Sequence, residues 1–212
     1  AKMGRSRRLK MSNDMQEKIR KMFNASYIDH DYVINNIFKV CKEMLTDRGC
    51  EFINIAEDIN SAYIQNDEFT CPMIIGSTEP TIHVFFSTED RISVKILRSI
   101  METNEADYVI FVSFDGATTF AKREALQNWG NRAQFFKYKE LVFNVTHHSL
   151  VPKHMKCTDP EKCDSAKKEK YPKIPYNDPV CQYYNFEVGD VIQIIRTNGS
   201  THPHNHYRVV VY

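Results

Sequence analysis

Apolar residues recur at helical spacing in the first fifty residues of this chain and gather into strand-like runs further along. One apolar stripe predicts a helix over residues 31–47, and a weaker one predicts a short helix over residues 15–23. Asp29 or Asp31 can cap the start of the longer helix, and Gly49 suits the left-handed position just past its end. Such a stripe is typical of a helix packed on a core. It consists of Val33, Ile34, Ile37, Phe38, Cys41, Met44 and Leu45.

Between residues 69 and 145 the pattern switches between strand-like and helical segments. The run 108–112 is apolar throughout, which is typical of a strand covered on both faces. Strands that alternate with helices predict a small α/β domain with some parallel pairing. The predicted elements are a strand at 81–86, a helix at 96–102, a strand at 108–112, a helix at 119–129 and a strand around 141–145.

The composition changes after Thr146. Residues 147–173 hold three prolines, several charges and few apolar residues. This composition predicts an extended connection with one short helix near residues 159–170. The chain is therefore predicted to form two lobes that join near residues 147–152. The predicted division is a basic arm with a short helix at 1–30, an N-terminal α/β lobe at 31–146 and a small C-terminal mixed α+β lobe at 147–212.

The C-terminal lobe is predicted to be small and to need a partner. Asp178 and Pro179 predict the start of a brief helix, because Asp caps a helix and Pro fits the first helical position. This helix should stop before Gly189, and the runs 190–196 and 206–212 are predicted to form a two-strand ribbon. A lobe of about 60 residues with so few strands is marginal by itself. We therefore expect it to dock on a larger protein.

Composition narrows the class of protein. Hydrophobic residues make up 42% of the chain and charged residues 26%, as in an ordinary globular protein. No apolar run is long enough to cross a bilayer, and the N-terminus lacks the apolar segment of a signal peptide. The six cysteines form no CxxC pair, which favours free thiols in a reducing compartment. These features predict a protein of the cytosol, the nucleus or a cytoplasmic particle.

The charge is nearly balanced but unevenly placed. A formal net charge of +1 argues against a protein that grips nucleic acid over its whole surface. A basic arm at the N-terminus can contact phosphates, act as a nuclear address or remain a solvated tail. The basic residues of this arm are Lys2, Arg5, Arg7, Arg8 and Lys10.

Ordered short motifs in the last third of the chain carry its most specific signal. They are Leu150-Val151-Pro152-Lys153-His154, Asp178-Pro179-Val180, Ile194-Ile195-Arg196 and Tyr207-Arg208-Val209. Upstream matches are Asp47-Arg48-Gly49, Val84-Phe85-Phe86 and Glu140-Leu141-Val142-Phe143-Asn144-Val145-Thr146. In this order the motifs resemble the fifth common subunit of eukaryotic RNA polymerases and its archaeal counterpart. The resemblance runs from about Asp31 to the C-terminus.

The resemblance implies a structural role within a polymerase, in the nucleus. It implies that the N-terminal lobe forms part of the jaw around downstream double-stranded DNA and that the C-terminal lobe anchors the chain to the largest subunit. The chain is expected to catalyse nothing, to use no cofactor or metal, to bind no membrane and to form no homo-oligomer. The implied partner-binding residues are Val151, Pro152, His154, Asp178, Pro179, Val180, Arg196, Tyr207 and Arg208. The implied DNA-proximal residues are Thr118, Thr119, Lys122 and Arg123.

Two stretches depart from the pattern of the family. The jaw of the family carries a turn like Thr-Pro-Ser-Ala, whereas this chain has Thr118-Thr119-Phe120-Ala121 and no proline. The turn after Arg196 also differs, since Asn198-Gly199 stands within it. This divergence suggests a distant lineage, such as a large DNA virus that encodes its own polymerase. In that case the protein would belong to a virion or to the cytoplasm.

A zinc site is one alternative. His154, Cys157 and Cys163 could supply ligands, but zinc sites usually show paired CxxC or CxxH units. His204 and His206 alternate with other residues as on a strand face, yet they stand beside Pro203 in a predicted loop. We therefore predict no metal site.

Two further alternatives belong to other functional classes. A metal-dependent nuclease would use acidic residues and a lysine of the α/β lobe, but their spacing forms no recognisable motif. These residues are Asp67, Glu68, Glu89, Asp90 and Lys95. A free-standing DNA-binding transcription factor is disfavoured by the near-neutral charge.

Overall fold

A computed structural model of the protein describes residues 13–23, 30–50, 70–75, 82–103, 105–196 and 204–212. The chain divides into two compact units. The first consists of Ala1–Lys42 and Gly49–Phe143, and the second of Glu43–Arg48 and Asn144–Tyr212. The described parts contain helices and two four-stranded sheets, so the mixed α+β class predicted from the sequence is confirmed. The functional domain limits 1–30, 31–146 and 147–212 stay a prediction.

Two helices open the described part of the chain, and both were predicted. Helix α1 spans Asn13–Phe23 and α2 spans His30–Asp47. The apolar stripe of α2 is buried throughout, as the helical period requires. Gly49 follows α2 with a φ of 84°, a left-handed conformation that glycine adopts without a steric cost. The alternative cap Asp29 lies outside the described residues.

The sheet of the first unit has the strand order β1-β2-β3-β4. Strand β1 is antiparallel to β2, whereas β2, β3 and β4 are parallel to one another. Parallel neighbours need crossover connections, and here two helices provide them. The strands are β1 (Thr70–Ile75), β2 (Ile82–Ser87), β3 (Tyr108–Ser113) and β4 (Ala133–Lys137), and the crossover helices are α3 (Val94–Thr103) and α4 (Thr119–Asn128).

The core of the first unit forms where α3 and α4 cover the parallel strands. Stacked phenylalanines run across the sheet, with ring centroids 5.9 Å apart for Phe85 and Phe111 and 5.4 Å apart for Phe111 and Phe135. Residues 109–113 of β3 are all buried, so the prediction of a strand covered on both faces is confirmed. Leu97 of α3 is completely buried in this core.

The strand predicted around residues 141–145 is wrong. Strand β4 lies earlier, and a 3-10 turn occupies Tyr138–Leu141. The Glu140 carboxylate accepts the Lys137 N–H at 2.8 Å, which turns the chain away from the sheet directly after β4. Leu141 is buried at the end of this turn, whereas Phe143 is 62% exposed, so the apolar run that suggested a strand is not covered as a strand would be.

Strand β1 has no counterpart among the predicted strands. Pro72 lies in its middle, and a proline cannot donate a hydrogen bond to a sheet ladder. Prolines are tolerated in strands that have a neighbour on one side only. Among the strands that the structure describes, β1 occupies such an edge position, next to β2 alone.

The second unit is built on a four-stranded sheet with the order β5-β7-β8-β6. Strand β7 is antiparallel to both β5 and β8, and β6 is parallel to β8. The two-strand ribbon predicted from the sequence is therefore too small. The elements are β5 (Lys153–Lys156), α5 (Ser165–Lys168), β6 (Lys173–Pro175), α6 (Pro179–Tyr184), β7 (Val191–Arg196) and β8 (His204–Val211).

The additional strands escape sequence reasoning because they are short. Strand β5 has four residues and β6 has three, below the usual length of a recognisable strand pattern. The helix predicted at 159–170 shrinks to the four residues of α5. Strand β8 starts at His204, so the predicted loop around Pro203 does not extend over His204 and His206.

Helix α6 begins as the sequence predicted. The Asp178 carboxylate accepts the Val180 N–H at 2.9 Å, and Pro179 occupies the first turn. Asn185 ends the helix in a left-handed conformation with a φ of 56°, ahead of Gly189. The core beneath the helix is formed by Ile174, Cys181, Ile192, Ile194 and Val210, with Phe186 packed against it.

None of the described helices is long and apolar enough to span a membrane.

Truncation of Leu97 to alanine is expected to destabilise the first unit by about 2–5 kcal/mol, because it opens a cavity in a filled core. The matched control is Leu126→Ala on α4, where the leucine is 55% exposed and the loss is expected to stay below about 0.5 kcal/mol. Urea unfolding followed by the fluorescence of the single tryptophan, Trp129, which packs against this core, measures both. Equal losses in the two variants would contradict the assigned core.

Candidate assembly surface

One face of the second sheet carries three of the nine implied partner-binding residues. Residues directly opposite each other on neighbouring strands point to the same face, and alternate residues share a face. Ile194 lies between His154 on β5 and His206 on β8, and Arg196 lies opposite His204. We call this side of the sheet the α6 face. Its residues are His154 and Lys156 of β5, Ile192, Ile194 and Arg196 of β7, and His204, His206, Arg208 and Val210 of β8.

The α6 face has an apolar centre and a basic margin. The isoleucines are buried in the core under α6, and basic side chains surround them. Arg196 is exposed and Arg208 is half-buried, and neither forms an ion pair with another described residue. The margin is therefore a positive surface with uncompensated guanidinium groups.

His154 is the titratable group in the middle of this margin. Burial lowers the pKa of its imidazole, and the positive charges of Arg208 and Arg196 lower it further. The hydrogen bond between Nδ1 and the Pro152 carbonyl oxygen (2.7 Å) and the carboxylate of Asp178 act in the opposite direction. The structure therefore brings four of the implied partner-binding residues into one electrostatic cluster.

The other implied partner-binding residues lie outside this cluster. Tyr207 is on the opposite face of the sheet, where its ring stacks on Tyr171 with centroids 5.6 Å apart and Lys162 lies over it. Val180 is 7% exposed, so its side chain belongs to the core of its own unit. Pro179 is exposed at the start of α6, and Val151 and Pro152 are half-buried.

Apolar side chains are exposed beside the second sheet. Leu150 is 84% exposed, and Met155 of β5 is 42% exposed on the face that carries Tyr207. Sequence reasoning did not assign a role to Met155, because a lone methionine in a polar strand has no distinctive spacing. Exposed apolar and basic residues in one small unit are a composition common at protein interfaces.

A hydrogen-bonded network holds α6 in the second unit. The Tyr183 hydroxyl donates to the Asp47 carboxylate (2.7 Å) and accepts from the side-chain amide of Asn144 (2.9 Å). The same amide group donates to the Glu43 carboxylate at 3.0 Å. Burial and the Asp47 carboxylate both raise the pKa of Tyr183 well above its usual range.

Arg48 completes this network from the end of α2. Its Nε donates to the Tyr183 carbonyl oxygen and its Nη2 to the Gln182 carbonyl oxygen, each at 2.8 Å. Both carbonyl groups lie in the last turn of α6, where a helix supplies few N–H partners of its own. The Gln182 carbonyl oxygen also accepts the Asn185 N–H at 3.3 Å. A guanidinium fork satisfies both at once. Asp47 and Arg48, noted in the sequence only as part of a motif, therefore build the second unit.

The implied DNA-proximal residues lie together at the start of α4 in the first unit. Thr118 caps the helix, since its hydroxyl accepts the Ala121 N–H at 3.2 Å. Thr119, Lys122 and Arg123 are exposed. Thr119 occupies the position where the family turn carries proline, and the ring of the next residue, Phe120, is 71% exposed. The start of α4 is therefore capped even though the proline of the family turn is absent.

The acidic residues of the first unit are engaged by basic side chains. Asp90 pairs with Lys18 at 3.2 Å, and Asp115 pairs with both Arg91 and Lys137. These partners hold the pKa of Asp115 below its usual range, the hydrogen bond from Arg91 having the largest effect. Asp67 and Glu68 lie outside the described residues.

Among the described residues, no group of three or more His, Cys, Asp or Glu side chains is arranged to hold a metal ion. The Cys163 thiol donates instead to the Cys157 carbonyl oxygen at 3.4 Å.

Known proteins resemble both the second unit and nearly the whole chain. The family model described as RNA polymerase Rpb5, C-terminal domain, matches residues 143–210. A protein of Dictyostelium discoideum named DNA-directed RNA polymerases I, II, and III subunit rpabc1 is 31% identical over 198 residues, which cover 84% of this chain and 98% of the relative. The chain belongs to the family of the fifth common subunit of RNA polymerases. It is therefore a non-catalytic subunit of a DNA-directed RNA polymerase, as the sequence resemblance implied.

Other relatives show how widely this family extends. A subunit RPABC1 of RNA polymerases I, II, and III from Caenorhabditis briggsae is 28% identical over 212 residues, covering 92% of this chain and 94% of the relative. A putative DNA-directed RNA polymerase subunit, 454R, of Invertebrate iridescent virus 6 is 26% identical over 177 residues. The match covers 76% of this chain and 93% of the relative. The family therefore includes a viral member of similar length.

Replacement of Tyr183 by phenylalanine is expected to destabilise the second unit by about 1–3 kcal/mol, because Asp47 loses a buried donor and Asn144 a buried acceptor. Tyr212→Phe is the matched control, since Tyr212 is 79% exposed and its hydroxyl can bind water in the folded chain. Amide hydrogen exchange at the buried strand β7 measures local stability in the full chain. Unchanged exchange in Tyr183→Phe would contradict a stabilising network.

His154 is expected to make the second unit less stable in acid. Its pKa is lower in the folded chain than in the unfolded chain, so the unfolded chain binds the proton first as the pH falls. The stability contribution is complete above about pH 6.5 and is lost as the pH falls through the lower folded pKa. His154→Gln should reduce the decrease in unfolding free energy between about pH 8 and pH 5, measured by urea unfolding. An unaltered pH dependence would contradict this assignment.

Proposed function

We propose that this subunit anchors to the largest subunit of its polymerase through the second unit and contributes its first unit to the jaw around downstream DNA. The observation that carries the proposal is the match to polymerase subunits over nearly the whole chain. The finer assignment of the two units rests on their surfaces.

The surface of the second unit supports an anchoring role. Arginines are enriched at the centres of protein interfaces, and Arg196 and Arg208 share one face there without an ion-pair partner among the described residues. Leu150 and Met155 add exposed apolar area nearby in the same unit. A partner that covers such groups removes apolar area from water and supplies counter-charges.

The first unit supports a weaker contact with DNA. Lys122 and Arg123 are exposed at the start of α4, where the positive end of the helix also favours phosphate groups. Two cations are few for a duplex, so affinity should be low and sensitive to salt. The site of action proposed for this subunit is the nucleus, or a virion or the cytoplasm if the chain is viral.

Charge reversal tests the assignment of the units. Arg196→Glu and Arg208→Glu should each reduce recovery of the full chain with a co-expressed largest subunit by about tenfold or more, because each places a negative charge where a counter-charge is expected. Lys122→Glu is the matched control and should leave recovery close to that of the wild type. Recovery is measured by affinity purification and normalised to folded protein.

The control variant Lys122→Glu is tested by a second measurement, the retention of downstream DNA. In the assembled polymerase, Lys122→Glu should weaken the retention of downstream duplex DNA at low salt more than the arginine variants do. Equal losses of assembly in all three variants would contradict the assignment of anchoring to the second unit. A wild-type chain that binds DNA tightly by itself and joins no polymerase would favour a free-standing transcription factor.

A further inference from the structure

Strand β8 is longer than β6, its neighbour on the side away from β7. Its partner β7 accompanies it from His204 to Val209, but β6 accompanies it only from Val209 to Val211. Within the described residues, no strand pairs with residues 204–208 on the side away from β7. This stretch of five residues is an open edge of the second sheet.

The alternation of hydrogen bonds shows which main-chain groups face this edge. The Val210 N–H donates to the Asp190 carbonyl oxygen at the β7 side, whereas the Val209 N–H donates to the Pro172 carbonyl oxygen at the β6 side. In a regular strand these directions alternate with each residue. The N–H and C=O groups of Asn205 and Tyr207 therefore point to the open edge. Their spacing is that of a docking site for another strand.

Basic side chains flank these groups. His204 and His206 are exposed on the α6 face, followed by Arg208, and Arg196 lies opposite His204 on β7. On the other face, Lys162 lies over the ring of Tyr207, with its Nζ 6.0 Å from the ring centroid. The two guanidinium groups form no ion pair with another described residue. A negatively charged ligand would meet the positive charges of Arg196, Arg208 and Lys162 beside this edge.

We infer that an extended acidic segment of another polymerase subunit adds to this edge of β8 as a further strand. A strand edge offers donors and acceptors in alternation, and a polypeptide backbone supplies the matching set. The phosphate groups of a nucleic acid supply acceptors only and cannot pair with the outward carbonyl groups. The inference rests on the proposed function, because it names the chemistry of the partner at the same unit.

Removal of one outward N–H tests the strand addition. Asn205→Pro deletes this donor and leaves the hydrogen bonds to β7 in place, which an edge strand tolerates. Asn205→Ala is the matched control, because it removes the side chain and keeps the N–H group. The full chain is co-expressed with the largest subunit and the other polymerase subunits, and the affinity of the recovered chain is measured. Asn205→Pro should weaken assembly about tenfold, and Asn205→Ala should not.

Hydrogen exchange in the wild-type chain tests the same contact without a substitution. The amides of Asn205 and Tyr207 should exchange at least tenfold more slowly in the assembled polymerase than in the free chain. The double variant His204→Glu, His206→Glu should reduce assembly as well. Both substitutions place negative charge beside the edge where the acidic segment would bind, so the two would repel each other.

The possible failures are distinguishable. If the wild-type chain joins no polymerase, both the proposed function and this inference fail. If it assembles while Asn205→Pro assembles equally well and the two amides stay unprotected, only this inference fails. Protection of the same amides by a single-stranded or duplex oligonucleotide, and none on assembly, would overturn it in favour of nucleic acid. Increased self-association of the histidine variant with unchanged assembly would overturn it too. The basic residues would then only prevent pairing between the β8 edges of two copies of the chain.

Discussion

The second unit depends on the contact between the end of α2 and the end of α6. Arg48 donates to the Gln182 and Tyr183 carbonyl oxygens in the last turn of α6, and Tyr183 donates from that helix to Asp47. Unpaired buried polar groups cost free energy that neighbouring apolar contacts do not repay, so each partner constrains the others. With α6 held in this way, its buried side chains cover the sheet. The basic margin of the α6 face then stays outside the core.

The same constraint explains why four short strands form a stable sheet. Strands β5 and β6 contribute only four and three residues. They adjoin the core under α6 that contains Ile192, Ile194 and Cys181. Burial raises the pKa of the Cys181 thiol to about 12, as expected for a thiol surrounded by apolar groups. The sheet keeps an open edge, because β6 begins beside Val209 and accompanies only the last residues of β8.

Much of the fold could be read from local patterns. The stripe of α2, the apolar run of β3 and the cap formed by Asp178 and Pro179 each encode their structure within a few residues, since helix period, strand burial and capping are local properties. The strand expected at 141–145 failed for the same reason. Of its apolar residues, Leu141 is buried at the end of a 3-10 turn while Phe143 is 62% exposed, and a local pattern does not distinguish such a turn from a strand.

The sequence by itself determined the family, the mixed α+β class and the positions of the helices apart from α5, because ordered motifs and periodic patterns do not depend on distant contacts. Only the tertiary structure decided which of the implied partner-binding residues share a surface. It placed His154, Arg196 and Arg208 on one face, Tyr207 on the other and Val180 in the core. The physical reason is strand register, which is set by pairing between residues far apart in the chain and assigns every side chain to one face of the sheet.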